Sequence, residues 1–90
     1  GEASPVGAMS TFHYVYTLES LARPGELYTG QTSDLRRRLA EHNAAKVPHT
    51  AKFRPWAIRS ATAFRNRHRA LAFERYLKTG SGRAFLHRHF

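Results

Sequence analysis

From His13 to Leu18 the chain reads His-Tyr-Val-Tyr-Thr-Leu. Aromatic and β-branched residues in succession predict a strand. Arg23-Pro24-Gly25 is a turn signal, and Glu26 to Gly30 reads as a second short strand, so the two are expected to form an antiparallel hairpin. Gly30 is read as the end of that strand, where the chain bends. Thr32, Ser33 and Asp34 supply cap chemistry for a helix from about Asp34 to Ala45. Ala45 to Pro55 is basic, lacks a period and contains Pro48 and Pro55, which predicts a loop. Trp56 to Phe64 alternates and predicts a third strand. Asn66 caps a helix over Arg67 to Lys78, Gly80 ends it, and Ser81 caps a last short helix reaching about His89. The expected fold is a small α/β (α+β) domain. Its three-stranded antiparallel sheet is flanked by helices in the order β-β-α-β-α-α.

Two helices carry polar residues against their apolar stripes. With Leu35 at zero on a wheel of about 100° per residue, Leu39 falls near +40°, His42 near −20° and Arg38 near −60°. Arg36 and Arg37 fall at about 100° and 200°, toward solvent. Arg38 therefore either lays its stem over the core edge or presents a held guanidinium to a phosphate. His42 is either a satisfied histidine at the core edge or a proton carrier. On the later helix, with Ala70 at zero, Leu77 lies near −20°, Phe73 near −60° and Glu74 near +40°. A carboxylate inside the apolar arc is costly unless paired with a cation or bound to a metal. Glu74 is thus either one half of an ion pair with a neighbouring arginine or a ligand for a hard divalent cation such as Mg²⁺.

Charge adds a partner to this picture. Fifteen Lys and Arg face six Asp and Glu, a net +9, and the pI is about 11.1. Such an excess points to a polyanion, nucleic acid or an acidic membrane surface. No helix sets a strongly basic face against a broad apolar one, which disfavours the membrane. Cysteine is absent, excluding disulfides and thiolate metal sites. The first residues lack a secretory pattern, and no apolar run approaches the roughly 20 residues of a membrane span. A cytoplasmic domain is expected. Residues 1–8 read as a tag remnant, leaving one domain over residues 9–90.

The positions singled out above sit in an ordered series: Tyr14-Val15-Tyr16, then Tyr28-Thr29-Gly30, Arg38 ten positions after Tyr28, His42 one turn later, and Glu74 in a helix. This series resembles the GIY-YIG nuclease family over roughly residues 12 to 88. It is most similar to small stand-alone bacterial members, which are themselves similar to the N-terminal nuclease domain of the repair protein UvrC. Phe53-Arg54-Pro55-Trp56 and the stretch Glu74 to Leu86 carry the likeness to that subgroup. Tyr14 stands where the family's first motif has Gly, Thr29 replaces the usual aliphatic residue, and no Asn after Glu74 matches the one some members carry.

The resemblance implies a metal-dependent endonuclease acting on DNA. It implies catalytic roles for Tyr16, Tyr28, Arg38, His42 and Glu74, with Glu74 holding Mg²⁺ or Mn²⁺. Arg38 is then the bidentate donor that neutralises charge developing on the phosphate. Tyr16, Tyr28 and His42 share the handling of the attacking water and its proton. A free tyrosine has a pKa of about 10, so a tyrosine base needs help from nearby groups. Arg36, Arg37, Lys46, Lys52, Arg54 and Arg67 are the expected phosphate contacts, which position a strand without reading its sequence. Nothing resembles a base-reading module, so selection by structure or strandedness is expected, with single-stranded, flap or branched DNA as substrates. The competing expectation is a nucleic-acid-binding module of the same fold without catalysis.

Overall fold

A computed structural model describes residues 11–89. The expected tag remnant, residues 1–8, and the first residues of the expected domain lie outside the described residues. Seven elements follow in order: β1 (His13–Ser20), β2 (Leu27–Thr32), α1 (Leu35–Asn43), α2 (Pro48–Ala51), β3 (Trp56–Phe64), α3 (Arg67–Leu77) and α4 (Gly80–His89). The strands form one antiparallel sheet in the order β2-β1-β3. The expected architecture is present, with one helix more than expected.

The central strand β1 separates two cores, because successive side chains point to opposite faces. Val15 packs with Ala70, Leu77 and Leu86 of α3 and α4, flanked by Phe64, Phe73 and Phe85. Tyr16 and Leu18 pack with Trp56 on the other face, against Tyr28, Leu35, Leu39 and Phe53. The pairing of β1 with β3 steps from Thr17↔Ser60 to Leu18↔Ile58, so Arg59 is an extra residue in a bulge. A one-residue step reverses the faces of a strand. Trp56 and Phe64, an even number of positions apart, can therefore enter opposite cores.

The caps are partly as expected. The Asp34 carboxylate accepts the Arg37 amide at 3.1 Å, and the Asn66 side chain accepts those of His68 and Arg69. At the end of α1, Ala45 takes a positive φ of 63°, the left-handed turn that closes many helices. Three expectations are corrected. Gly30 does not end β2, which continues to Thr32. Gly80 does not end α3 but begins α4, and Thr79 rather than Ser81 caps it: the Thr79 hydroxyl accepts the Gly82 amide at 3.1 Å. The loop Ala45 to Pro55 contains the single turn α2, started by Pro48 at its first position, where a missing N–H costs nothing.

Short polar clamps fix α1 and α2 to the sheet. Asn43 accepts the Trp56 amide at 2.6 Å and donates to the Trp56 carbonyl at 3.1 Å. The Trp56 indole donates to the Thr50 carbonyl at 2.8 Å, and the Ser20 hydroxyl donates to the Phe53 carbonyl at 2.6 Å. These bonds hold rigid the wall against which His42 rests.

Candidate active site

Tyr16 lies on the central strand opposite Gly30 of β2. Its side chain folds across that glycine. A Cβ at residue 30 would stand 2.5 Å from the Tyr16 hydroxyl, 2.8 Å from its Cζ and 3.1 Å from the Tyr28 ring. Glycine is required here for close approach, not for a bend. Tyr28 pairs with Leu18 two positions along, so it shares the face of Tyr16, and the two rings lie 6.4 Å apart.

His42 closes this cluster from α1. It is fully buried, deeper than the core edge that its helix position suggested. Its ring lies 5.9 Å from that of Tyr16 and 4.9 Å from that of Tyr28. Nε2 is 2.9 Å from the Tyr16 hydroxyl, and Nδ1 is 2.8 Å from Oγ1 of Thr50, a residue of α2. The Thr50 hydroxyl gives its own proton to the Val47 carbonyl at 3.2 Å. Thr50 Oγ1 is then left to accept, so His42 carries its proton on Nδ1 and offers the Nε2 lone pair to Tyr16. Burial, with the Arg38 charge second, holds the His42 pKa below its ordinary value. The imidazole is therefore a neutral acceptor. Burial also raises the Tyr16 pKa, against the neighbouring Arg38 guanidinium, which lowers it. Tyr16 thus donates to His42 with the Arg38 charge nearby.

Arg38 reaches the cluster half-exposed, with Nη1 2.8 Å from Glu41. The hydrogen bond to Glu41 and the neighbouring Tyr16 hydroxyl both favour its charged form. The Gln31 amide nitrogen is buried without a partner among the described residues, but Gln31 pairs with Val15 and so directs its side chain to the α3 and α4 face of the sheet. Gln31 and Arg38 line one shallow depression together with Ser33, Arg37 and Glu41. The Arg38 guanidinium in this depression suits an anionic oxygen.

Glu74 comes from α3, in the opposite layer, to the edge formed by β2. Its negative charge acts on the Tyr16 hydroxyl. Its side chain is 20% exposed and pairs with Lys78 at 3.1 Å. The partner is a lysine one turn on, not the arginine considered from the sequence. The Lys78 ammonium also stands 5.9 Å from the centre of the Tyr28 ring. Among the described residues no group of three or more His, Cys, Asp or Glu could hold a metal ion. Glu74 is a single oxygen donor. A single carboxylate still fits Mg²⁺, which keeps most of its waters and takes one or two carboxylates plus substrate phosphate.

The structure thus brings Tyr16, Tyr28, Arg38 and His42 together, and links Glu74 to Tyr28 through Lys78. The expected phosphate contacts are more dispersed. Arg36, Arg37, Lys46, Lys52, Arg54 and Arg67 are all exposed. Arg36 and Arg37 share α1, and Lys46, Lys52 and Arg54 surround α2. Arg67 heads α3 on the far side of the sheet. Two participants were missed in the sequence. Thr50 sits in a stretch without a period, where only Pro48 hinted at a helical turn. Lys78 was legible, since it follows Glu74 by four positions, the spacing of a helical ion pair.

Residues 12–85 match the model of the GIY-YIG catalytic domain. The chain belongs to the GIY-YIG family. Over 75 residues, 77% of the chain, it is 36% identical to a structure-specific endonuclease subunit SLX1 of Ajellomyces capsulatus, covering 18% of that protein. It is 39% identical to a UPF0213 protein of Streptococcus pneumoniae over 72% of the chain and 65% of the relative. With a UPF0213 protein of Haloquadratum walsbyi it shares 36% identity over 79% of each. The chain spans less than a fifth of the length of the SLX1 relative. No solved structure matches. The GIY-YIG domain here includes every residue of the cluster described above. No helix among the described residues is long and apolar enough to cross a membrane.

Proposed function

We propose that this GIY-YIG nuclease domain hydrolyses DNA phosphodiester bonds with Mg²⁺ or Mn²⁺, choosing its substrate by structure or strandedness rather than sequence. The observation that carries the reading is the ordered chain Val47–Thr50–His42–Tyr16, which ends beside Arg38. It leaves one neutral imidazole aimed at one tyrosine hydroxyl. In the proposed reaction Tyr16 passes its proton to His42 Nε2 while its oxygen takes one from the attacking water. The water oxygen bonds to phosphorus as the bond to the leaving oxygen breaks. Positive charge from Arg38 favours the phenolate form of Tyr16 and offsets charge growing on the phosphate. Tyr28 lies against both Tyr16 and His42 and orders the water or the adjoining sugar.

Glu74 is the residue that would hold the cation. When bound, a divalent ion there supplies Lewis-acid stabilisation of phosphate and leaving oxygen. Lys78 neutralises the same carboxylate and would be exchanged from it. Exposed Arg36, Arg37, Lys46, Lys52, Arg54 and Arg67 position the strand through its phosphates. The similarity to relatives named as structure-specific endonuclease subunits supports selection by DNA structure rather than sequence.

The test is incubation with labelled single-stranded, duplex, flap and branched DNA, with and without Mn²⁺. Metal-dependent cuts that vanish in Glu74→Ala and in Arg38→Ala are expected. Cleavage surviving both changes would overturn the assignment. Salt-sensitive binding without any cleavage would instead indicate a non-catalytic DNA-binding module.

A further inference from the structure

A second concavity, of about 410 Å³, opens on the other side of Tyr28. Tyr28 and Lys78 are parts of its wall, so it is continuous with the candidate centre. Its remaining basic groups, Arg83 and His87, come from α4; the half-buried Tyr28 ring gives it apolar surface, while Leu77 and Leu86 lie buried at its floor. Lys78 is engaged with Glu74. Arg83 and His87 form no ion pair among the described residues. The lining includes one carboxylate, Glu26, against three basic side chains. None of Lys78, Arg83 and His87 is among the phosphate contacts expected from the sequence.

Size, charge and position select the ligand. The volume is near the lower end of the roughly 300–1,000 Å³ of small-molecule sites. A duplex cannot enter, since its major groove alone is about 12 Å wide. An unpaired guanidinium and an imidazole next to a tyrosine ring suit a group with an anionic end and a flat apolar body. A strand held on Arg38 would run past Tyr28 to this opening.

We propose that the cavity binds one unpaired nucleotide of the strand being cut, with its phosphate on Arg83 and His87 and its base against the half-buried Tyr28 ring. The assignment rests on the nuclease reading for the identity of the strand. It gives the domain a physical means of preferring tailed or flapped DNA over continuous duplex: only an unpaired nucleotide fits.

Two measurements separate this cavity from the catalytic reading. In the first, thymidine 5′-monophosphate is titrated into the full chain and followed by amide NMR, without metal. Shifts at Tyr28, Leu77, Arg83 and Leu86 are expected, and their loss in Arg83→Gln/His87→Gln. Both altered residues are exposed, and the variant's unperturbed spectrum elsewhere checks its fold. In the second, cleavage of 5′-tailed DNA and of nicked duplex is compared. The double variant is expected to raise KM for the tailed substrate about tenfold, leaving kcat and the nicked substrate unchanged. Nucleotide-induced shifts absent or confined elsewhere would overturn the proposal, as would an unchanged KM in an active enzyme. Shifts at the named residues in a chain that cuts nothing would support the cavity while refuting the nuclease reading.

Discussion

The Tyr16 hydroxyl and His42 Nε2 stand 2.9 Å apart, and Thr50 decides which of them holds the proton. Because the threonine hydroxyl is committed to the Val47 carbonyl, it pins the histidine proton on the far nitrogen. Tyr16→Phe is therefore expected to keep the fold and lower kcat by about 10²–10⁴, the usual contribution of acid–base catalysis. Thermal denaturation alongside single-turnover cleavage checks it. A loss of stability matching the loss of rate would assign Tyr16 to packing alone.

Acid should weaken this domain through His42. Its pKa is held below the ordinary 6.5 by burial, so the unfolded chain takes up a proton that the folded chain resists. The stabilisation is complete above about pH 6.5 and declines as pH falls through that value. For a domain this small each kcal/mol moves Tm by about 4–8 °C, so the slope is readable between pH 7 and 5. His42→Gln should melt lower throughout and show a shallower slope. Parallel curves for the two proteins would contradict the assignment.

Two glycines should differ sharply in tolerance. At Gly30 an added methyl meets the end of the Tyr16 side chain, which can move at the expense of its hydrogen bonds. Gly30→Ala is expected to cost about 1–3 kcal/mol, the range of an overpacked core, and most of the activity. At Gly82 the same methyl would overlap the Tyr76 carbonyl oxygen and stand 2.5 Å from the Leu77 Cα. Both are backbone atoms and cannot step aside, so Gly82→Ala should be the more destabilising. Urea midpoints of the two variants give the order directly.

Arg38 should resist conservative replacement. Its planar group holds Glu41 and stands near Tyr16, whereas a lysine presents a point charge. Arg38→Lys is expected to retain DNA affinity within a few-fold and lose most of kcat. Near-normal turnover in that variant would reduce its role to charge alone.

Much of this architecture was legible from residue order. The alternation of β1 and β3, the caps at Asp34 and Asn66, and the wheel positions of Arg38 and Glu74 all follow from periods of two and 3.6. What escaped was tertiary. Gly30 has the same appearance at a strand end as under a tyrosine ring, and only the cross-strand pairing distinguishes them. The bulge at Arg59 leaves no mark in the alternation, yet it sends Trp56 and Phe64 to opposite cores. Thr50 gained its role from a partner eight residues away on another element. Lys78 displaced the expected arginine as partner of Glu74 because it lies one helical turn away on the same face.

The strand order β2-β1-β3 places Tyr16 on a strand hydrogen-bonded on both sides and Tyr28 on one bonded on a single side. Opening free energies rise from edges and termini toward central elements. Amides around Tyr16 should exchange with solvent deuterium only when the whole domain unfolds, while those around Tyr28 exchange through local detachment of β2. One tyrosine is thus a fixed post and the other a hinge-side leaf.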